Sequence, residues 1–399
     1  MKLAITKNYC FTMREVAHQD FHALYRVEDL GQEYKRQYGF EPFNISYWNP
    51  SEQTERFLLK HLNLPSQSVQ IPYIYSHYEG KKAALRQLGF ADENRQCWFL
   101  NAGTVAVVLA VHWLISLDID RVMVLCPAYF SVLHMCEAMK VELSLAYMRR
   151  QQGHWELPRT QIMEAFSKSP RKTAFWITNP VFSTGCYLSK SDSEFLVSLL
   201  EKGATLVADE CLCLNGYELG RTLGRFDRFL GLYSPHKSLS VNATKFAAIV
   251  FDKKYQDFFR AWGDVLTGPL ASSTYTAIHH FLEEGFHEFQ RIFLNHINAV
   301  HDKVRSVLEK HSSMIVTDEH ARGHYITCYV PSVPGHYGED EKFMRDLIWK
   351  TGATLVAGVR SHMTPDVGFG FRVNLARSCP QFFSAFQRLI NYLLSIDAR

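Results

Sequence analysis

The chain has 399 residues, 47% of them hydrophobic, and its 43 basic and 40 acidic side chains leave a formal charge of +3. A chain of this size and polarity can fill a large core, and without a basic run it lacks the electrostatic footprint of a nucleic-acid binder. Nine cysteines at positions 10, 97, 126, 136, 186, 211, 213, 328 and 379 form no CxxC pair, which points to reduced, mostly buried thiols in a cytoplasmic protein.

Met1–Asn8 has no sustained apolar run of the kind a signal peptide needs. Val105–Leu117 is too short to cross a bilayer and carries His112, so it reads as a buried helix, and no membrane role is expected. Residues 1–48 show helical spacing around Phe21, Leu24, Tyr25 and Leu30 but no chemistry of their own. A turn at Tyr47–Pro50 leads into an expected helix over Glu52–Leu62, then a link punctuated by Pro65 and Pro72, and a helix over Lys81–Leu88 stopped by Gly89. From Cys97 the pattern becomes regular. Strand Cys97–Asn101, a Gly103-Thr104 turn and helix Val105–Ser116 form a strand–glycine–helix unit, whose free helix N–H groups suit a phosphate, though such turns are also common as plain connections.

Strands are then expected at Arg121–Cys126, Val141–Met148, Thr173–Thr178, Ala204–Asp209 and Phe246–Phe251, with helices between most of them. This alternation predicts a mostly parallel sheet covered on both faces, with active residues at the strand C-ends. A long helical region from about Ser272 to His311, broken near Gly285, bridges to a smaller α+β lobe. Cys211 and Cys213 lack a second ligand pair at metal spacing and are expected to pack in a strand, so no metal is expected.

Leu206–Lys245 carries the densest chemistry. An apolar strand ends on Asp209-Glu210, and a polar turn, Tyr233-Ser-Pro-His-Lys237, follows with a single lysine. Both ends point into the crevice where open α/β sheets bind ligands. Taken alone, the pair also fits a solvated loop lysine beside a helix cap.

In order and spacing, the motifs from about Tyr47 to the C-terminus resemble the aspartate aminotransferase superfamily, the fold-type I enzymes that depend on pyridoxal 5′-phosphate. Tyr75 five residues before Gly80 matches the tyrosine that reaches the cofactor phosphate of a neighbouring subunit. Gly103-Thr104-Val105 looks like the turn that cradles the phosphate, and Pro127-Ala-Tyr129 like the motif whose ring stacks on the pyridine. Asp209 matches the partner of the pyridine nitrogen, and Ser234-Pro-His-Lys237 the motif of the Schiff-base lysine. Phe371-Arg-Val-Asn-Leu-Ala376 resembles the strand whose arginine, here Arg372, clamps the substrate α-carboxylate.

The resemblance implies a three-layer α/β/α fold with a smaller α+β C-terminal domain. It divides the chain into residues 1–48 packing on the small domain, a large cofactor domain over 49–285 and a small domain over 286–399. It also implies a homodimer with shared active sites and a cytoplasmic enzyme of amino acid metabolism. Lys237 and Asp209 would be catalytic.

The chain departs from the family pattern at several places. In Asn179-Pro-Val-Phe-Ser-Thr-Gly185, Phe182 and Ser183 stand where a second Asn-Pro belongs, which leaves Asn179 to contact the cofactor phenolate. Lys245, eight residues after Lys237, replaces a phosphate-forking arginine and can offer only a point charge. Leu212 stands where many aminotransferases carry a tyrosine, and the turn at Tyr47–Pro50 lacks a glycine that often lines the carboxylate site. Transamination of an α-amino acid, beginning with abstraction of the α-proton, is the reaction the resemblance implies first. Elimination at the β or γ carbon, cyclisation of a hydroxylated amino acid, or oxidation are the alternatives that Phe182, Leu212 and Lys245 motivate. A catalytically silent regulatory relative comes third, because Lys237 and Asp209 are both present.

Overall fold

The structure is a computed structural model. It describes residue 27 and residues 29–46, 81–90, 93–151, 153–214, 216–238, 245–268, 270–284, 287–311, 315–318, 320–376 and 379–397. The expected helix over Glu52–Leu62, together with Tyr75 and Gly80, lies outside these residues.

Seven strands build the central sheet: β1 (Arg95–Leu100), β2 (Arg121–Cys126), β3 (Glu142–Tyr147), β4 (Thr173–Thr178), β5 (Thr205–Asp209), β6 (Phe229–Tyr233) and β7 (Ala247–Asp252). Across the sheet the order is β1-β7-β6-β5-β4-β2-β3. Only β7 runs against its neighbours, being antiparallel to both β6 and β1; the pairs from β6 through to β3 are parallel. The strand expected at Phe246–Phe251 is thus the one that breaks the parallel run.

Burial on both faces explains why these strands read as continuous apolar runs. In β4, Phe175 and Ile177 enter one core while Ala174 and Trp176 enter another. In β5, Leu206 and Ala208 follow the first pair and Val207 the second. Trp98, Trp113, Trp176 and Tyr233 are among the largest fully buried side chains, and each burial of this kind stabilises by roughly 1.5–3 kcal/mol or more.

The helices that position the site are α1 (Lys81–Gln87), α2 (Gly103–Ser116), α3 (Phe130–Ala138), α4 (Lys190–Glu201), α5 (Glu218–Leu223) and the single turn α6 (Pro235–Ser238). After β7 come α7 (Gln256–Thr267), α8 (Ser272–Glu284) and the long α9 (His287–Glu309). The expected break near Gly285 falls between α8 and α9.

A second, antiparallel sheet has β8 (Val316–Thr317), β9 (Tyr325–Val330), β10 (Val356–Ala357) and β11 (Phe369–Asn374) in the order β8-β9-β11-β10. Helices α10 (Glu341–Thr351) and α11 (Pro380–Asp397) cover it. Residues 43–44 pair in parallel with Ala353–Thr354, and Glu33 forms an ion pair with Arg345, so residues 33–44 lie on this lobe.

Two sets of contacts join the lobes. Asp318, 2% exposed, accepts hydrogen bonds from Arg150 Nε (2.5 Å), Trp155 Nε1 (3.1 Å) and the Tyr329 hydroxyl (2.8 Å). A buried carboxylate with this many charge-assisted and neutral donors is fully compensated. The second set grips the loop after β4. Thr327 Oγ1 donates to the Ser183 carbonyl (2.8 Å), the Ser183 and Ser361 hydroxyls are 2.8 Å apart, and Arg322 N donates to the Gly185 carbonyl (2.8 Å). Gly185 has φ +75°, and a Cβ there would sit 2.3 Å from the Tyr325 carbonyl. Only glycine allows that approach.

Candidate active site

The parallel register brings β4, β5 and β6 to one edge. Thr178 lies opposite Asp209, and Asp209 opposite Leu232, so Asn179, Asp209 and Tyr233-Ser234 emerge side by side. Asp209 is 6% exposed, and its Oδ1 accepts from the Cys211 backbone N–H (3.0 Å). Lys237 sits in α6, whose turn begins with its own N–H donating to the Ser234 carbonyl (2.9 Å). The negative charge of Asp209 and the positive charge of Lys237 both act on Cys211, whose thiol pKa is driven up by burial first, then by Asp209, against the opposing pull of Lys237. The buried acid and the half-buried lysine thus lie on either side of Cys211's surroundings, at the ends of neighbouring strands.

The third wall is the start of α2. A Cβ on Gly103 would lie 2.8 Å from Ser234 Oγ and 3.5 Å from Cys211 Sγ, so the lack of a side chain lets the helix N-terminus meet Ser234. The Ser234 hydroxyl is buried beside the Cys211 thiol, which it helps to hold by a side-chain hydrogen bond. Thr104 is exposed and Val105 half-buried in this first turn. Free helix N–H groups beside a buried hydroxyl form a donor set suited to an anion such as a phosphate monoester. Lys245 places its side chain in solvent, while its carbonyl accepts from Thr274 Oγ1 (2.9 Å).

Tyr129 caps the start of α3 and is half-buried, its ring centroid 5.6 Å from Phe182. The second lobe contributes Arg372 in β11. Its guanidinium lies 4.2 Å over the Tyr325 ring, its Nη2 donates to the Ser46 carbonyl (3.1 Å), and its Nε is buried without a partner among the described residues. His324, 1% exposed, is pushed down to about 3 by burial and then by the charges of Lys237 and Arg372. Both cations thus bear on a single imidazole. Burial, followed by the charge of Lys237, likewise lowers His236 to about 3, so the histidines beside the lysine are neutral.

Asn179 is buried and held by the segments around it. Its Nδ2 donates to Glu210 Oε1 (3.0 Å) and its Oδ1 accepts from Leu188 N (3.1 Å), leaving one amide hydrogen. Cys211 and Cys213 fall in the turn after β5, not in a strand, and Cys213 Sγ donates to the Asn179 carbonyl (3.1 Å) and to Glu210 (3.5 Å). All eight described cysteines are free thiols.

Glu210 was missed by the sequence reading. It is completely buried and also accepts from Gly220 N (2.8 Å). A Cβ on Gly220 would lie 2.5 Å from Glu210 Oε2 and even closer to the Tyr233 hydroxyl, so only glycine fits beside this pair. The available signal was a second acid on the end of an apolar strand, because a buried carboxylate must find donors. Ser46 was also missed. It holds Arg372 from a segment with no motif, accepting with its carbonyl and donating from Oγ to the Arg372 carbonyl (2.5 Å).

No protein-family model and no curated protein matches the chain. Solved structures do. The aspartate aminotransferase of Thermus thermophilus is similar at 15% identity, with 93% of this chain and 96% of that one covered and a TM-score of 0.75. An Escherichia coli protein with methionine aminotransferase function matches at 14% identity, 92% and 97% coverage and a TM-score of 0.74. A pyridoxal phosphate-bound C-S lyase from Staphylococcus hominis matches at 13%, with 88% and 92% covered and a TM-score of 0.70. The chain has the aspartate aminotransferase fold, an α/β architecture with a mostly parallel central sheet.

Burial raises Glu210 to about 7 from an ordinary 4.5, against the hydrogen bonds from Asn179, Gly220 and Cys213 that lower it. The folded protein therefore binds this proton more tightly than the unfolded chain. Its contribution, on the order of 3 kcal/mol, is full below the ordinary value and is lost as pH rises through about 7. Urea melts between pH 4.5 and 8 should show wild-type stability falling across this window relative to Glu210→Gln; parallel pH profiles would refute the assignment.

Proposed function

We propose that the chain is a pyridoxal 5′-phosphate-dependent enzyme acting on an α-amino acid, with transamination as its reaction. The observation that carries this reading is the register that sets Asp209, at the end of β5, beside the end of β6 and the α6 turn holding Lys237, with the buried Ser234 hydroxyl against the N-terminus of α2. The fold it shares with aminotransferases supports the same reading.

The residues fit the cofactor. The first turn of α2, Gly103-Thr104-Val105, and Ser234 would hold the phosphate, with Lys245 adding charge from the exposed rim. Tyr129 would stack on the pyridine, Asp209 would keep a proton on the ring nitrogen, and Asn179 would offer its remaining amide hydrogen to the phenolate. When bound, the cofactor supplies an electron-accepting ring that stabilises negative charge developing at the substrate Cα.

The chain's own groups do the rest. Arg372, stacked on Tyr325 and steadied by Ser46, orients the substrate α-carboxylate and so fixes which Cα bond stands across the ring plane. Lys237, the candidate for the covalent attachment, is the base placed to take the Cα proton once substrate frees its amine. Neutral His236 and His324 add no competing positive charge beside it.

Elimination is the second reading. Leu212, half-buried after Asp209, brings no hydroxyl to the site, and C-S lyases share this fold at similar TM-scores. Tyr75 would complete the phosphate site of a second copy, which makes a homodimer with shared active sites the working assembly.

Lys237→Ala should reduce turnover to background without altering the melting temperature, since it removes a site group and no core volume. Borohydride treatment of the loaded wild type should place the label on the Lys237 peptide; label on Lys245 would reject the assignment. Turnover of amino acids that stalls after one equivalent until a keto acid is added supports transamination. Continuous release of ammonia without an acceptor supports elimination instead. Sedimentation of the active protein should give a dimer, and a monomer with full turnover would exclude shared sites.

A further inference from the structure

A second cleft, of about 390 Å³, lies between the end of α1, the segment after β5, α5, α8 and the first turns of α9. None of Asp209, Lys237, Tyr129 or Arg372 lines it. Its size falls within the range of small-molecule sites. Leu88, Leu214 and Phe281 give it apolar walls, while Arg221, His287 and Gln290 bring polar groups, and among the described residues no acidic one lines it.

Arg221 is the informative residue. Its guanidinium is exposed at the mouth of the cleft and has no ion-pair or hydrogen-bond partner among the described residues, so its planar fork is open to a carboxylate arriving there. Two glycines make room for it. A Cβ on Gly89, where φ is +83°, would meet Arg221 Cδ at 2.7 Å, and one on Gly216, where φ is +98°, would meet Nη2 at 3.3 Å. His287 and Gln290 lie on the first turn of the 23-residue α9, where the backbone dipole adds positive potential. Gln290 is anchored across the cleft by donating to the Leu214 carbonyl (3.0 Å).

We propose that this cleft binds a small organic carboxylate with an apolar tail. The carboxylate pairs with Arg221 at the mouth and the tail lies against Leu88, Leu214 and Phe281. The position suits an effector. Cys213 lines the cleft and its thiol donates to the Asn179 carbonyl and to Glu210, so an occupant touches the turn that carries the catalytic acid. The binding claim does not depend on the cofactor assignment.

Calorimetric titration of the full chain, loaded with pyridoxal phosphate, with hexanoate, hexylamine and 1-hexanol tests it. Hexanoate should bind at least tenfold more tightly than the other two. Arg221→Gln should weaken hexanoate at least tenfold, and so should His287→Glu, an exposed change that a helix N-terminus tolerates. Arg372→Gln, which disables the candidate substrate-carboxylate site, should leave hexanoate affinity within twofold. Equal binding of all three probes, no binding of any, or loss with Arg372→Gln but not with Arg221→Gln or His287→Glu would overturn the proposal. The last of these results would place the carboxylate in the substrate site and leave the catalytic reading intact.

Discussion

Parallel strands deliver their C-terminal ends to one edge of a sheet, and the site depends on that constraint. Thr178, Asp209 and Leu232 are in register across β4, β5 and β6, so three chain segments far apart in sequence emerge together without any contact between their side chains being needed to gather them. Asp209 is 6% exposed, and a carboxylate that buried is costly unless donors or a cation answer it. The Cys211 N–H is the answer the chain supplies. A protonated ring nitrogen would be another, and that is the chemical sense of the proposed cofactor site.

Behind this edge lies a second, denser layer. Glu210 points away from Asp209 into Asn179, Cys213 and Gly220, so two adjacent acids on one strand end meet opposite demands. One faces the crevice and the other braces the loop that forms its wall. The second lobe reaches the same loop through Thr327, Ser361 and Arg322. The Asp318 cluster with Arg150, Trp155 and Tyr329 is a second point at which the two lobes are tied.

Six of the seven sheet strands were legible in the sequence because burial on both faces leaves continuous apolar runs; β6 (Phe229–Tyr233) was missed, its five residues lying within a stretch read for the polar turn that follows. The strand after Lys237 was legible as a strand but not as the antiparallel one, since apolar runs carry no direction. Asp209, Lys237, Tyr129 and Arg372 stood out as candidates because the roles proposed for them demand particular side chains in a fixed order along the chain. Ser46 could not, because it acts largely through its backbone carbonyl, which any residue supplies. Asn179 was read for its residue type alone. Its commitment to Glu210 follows from a pairing between two loops that no spacing rule encodes. Lys245 kept its place in the order of motifs, but its exposed side chain limits it to a screened charge.

The central claim is that Asp209 holds a proton on a pyridine nitrogen bound above it. Nitrogen-15 NMR of the protein loaded with ring-labelled pyridoxal phosphate reads that proton directly. A protonated-nitrogen signal is predicted for the wild type, and it should move to the deprotonated position in Asp209→Ala. A deprotonated signal in the wild type, or one that Asp209→Ala leaves unchanged, would contradict the account.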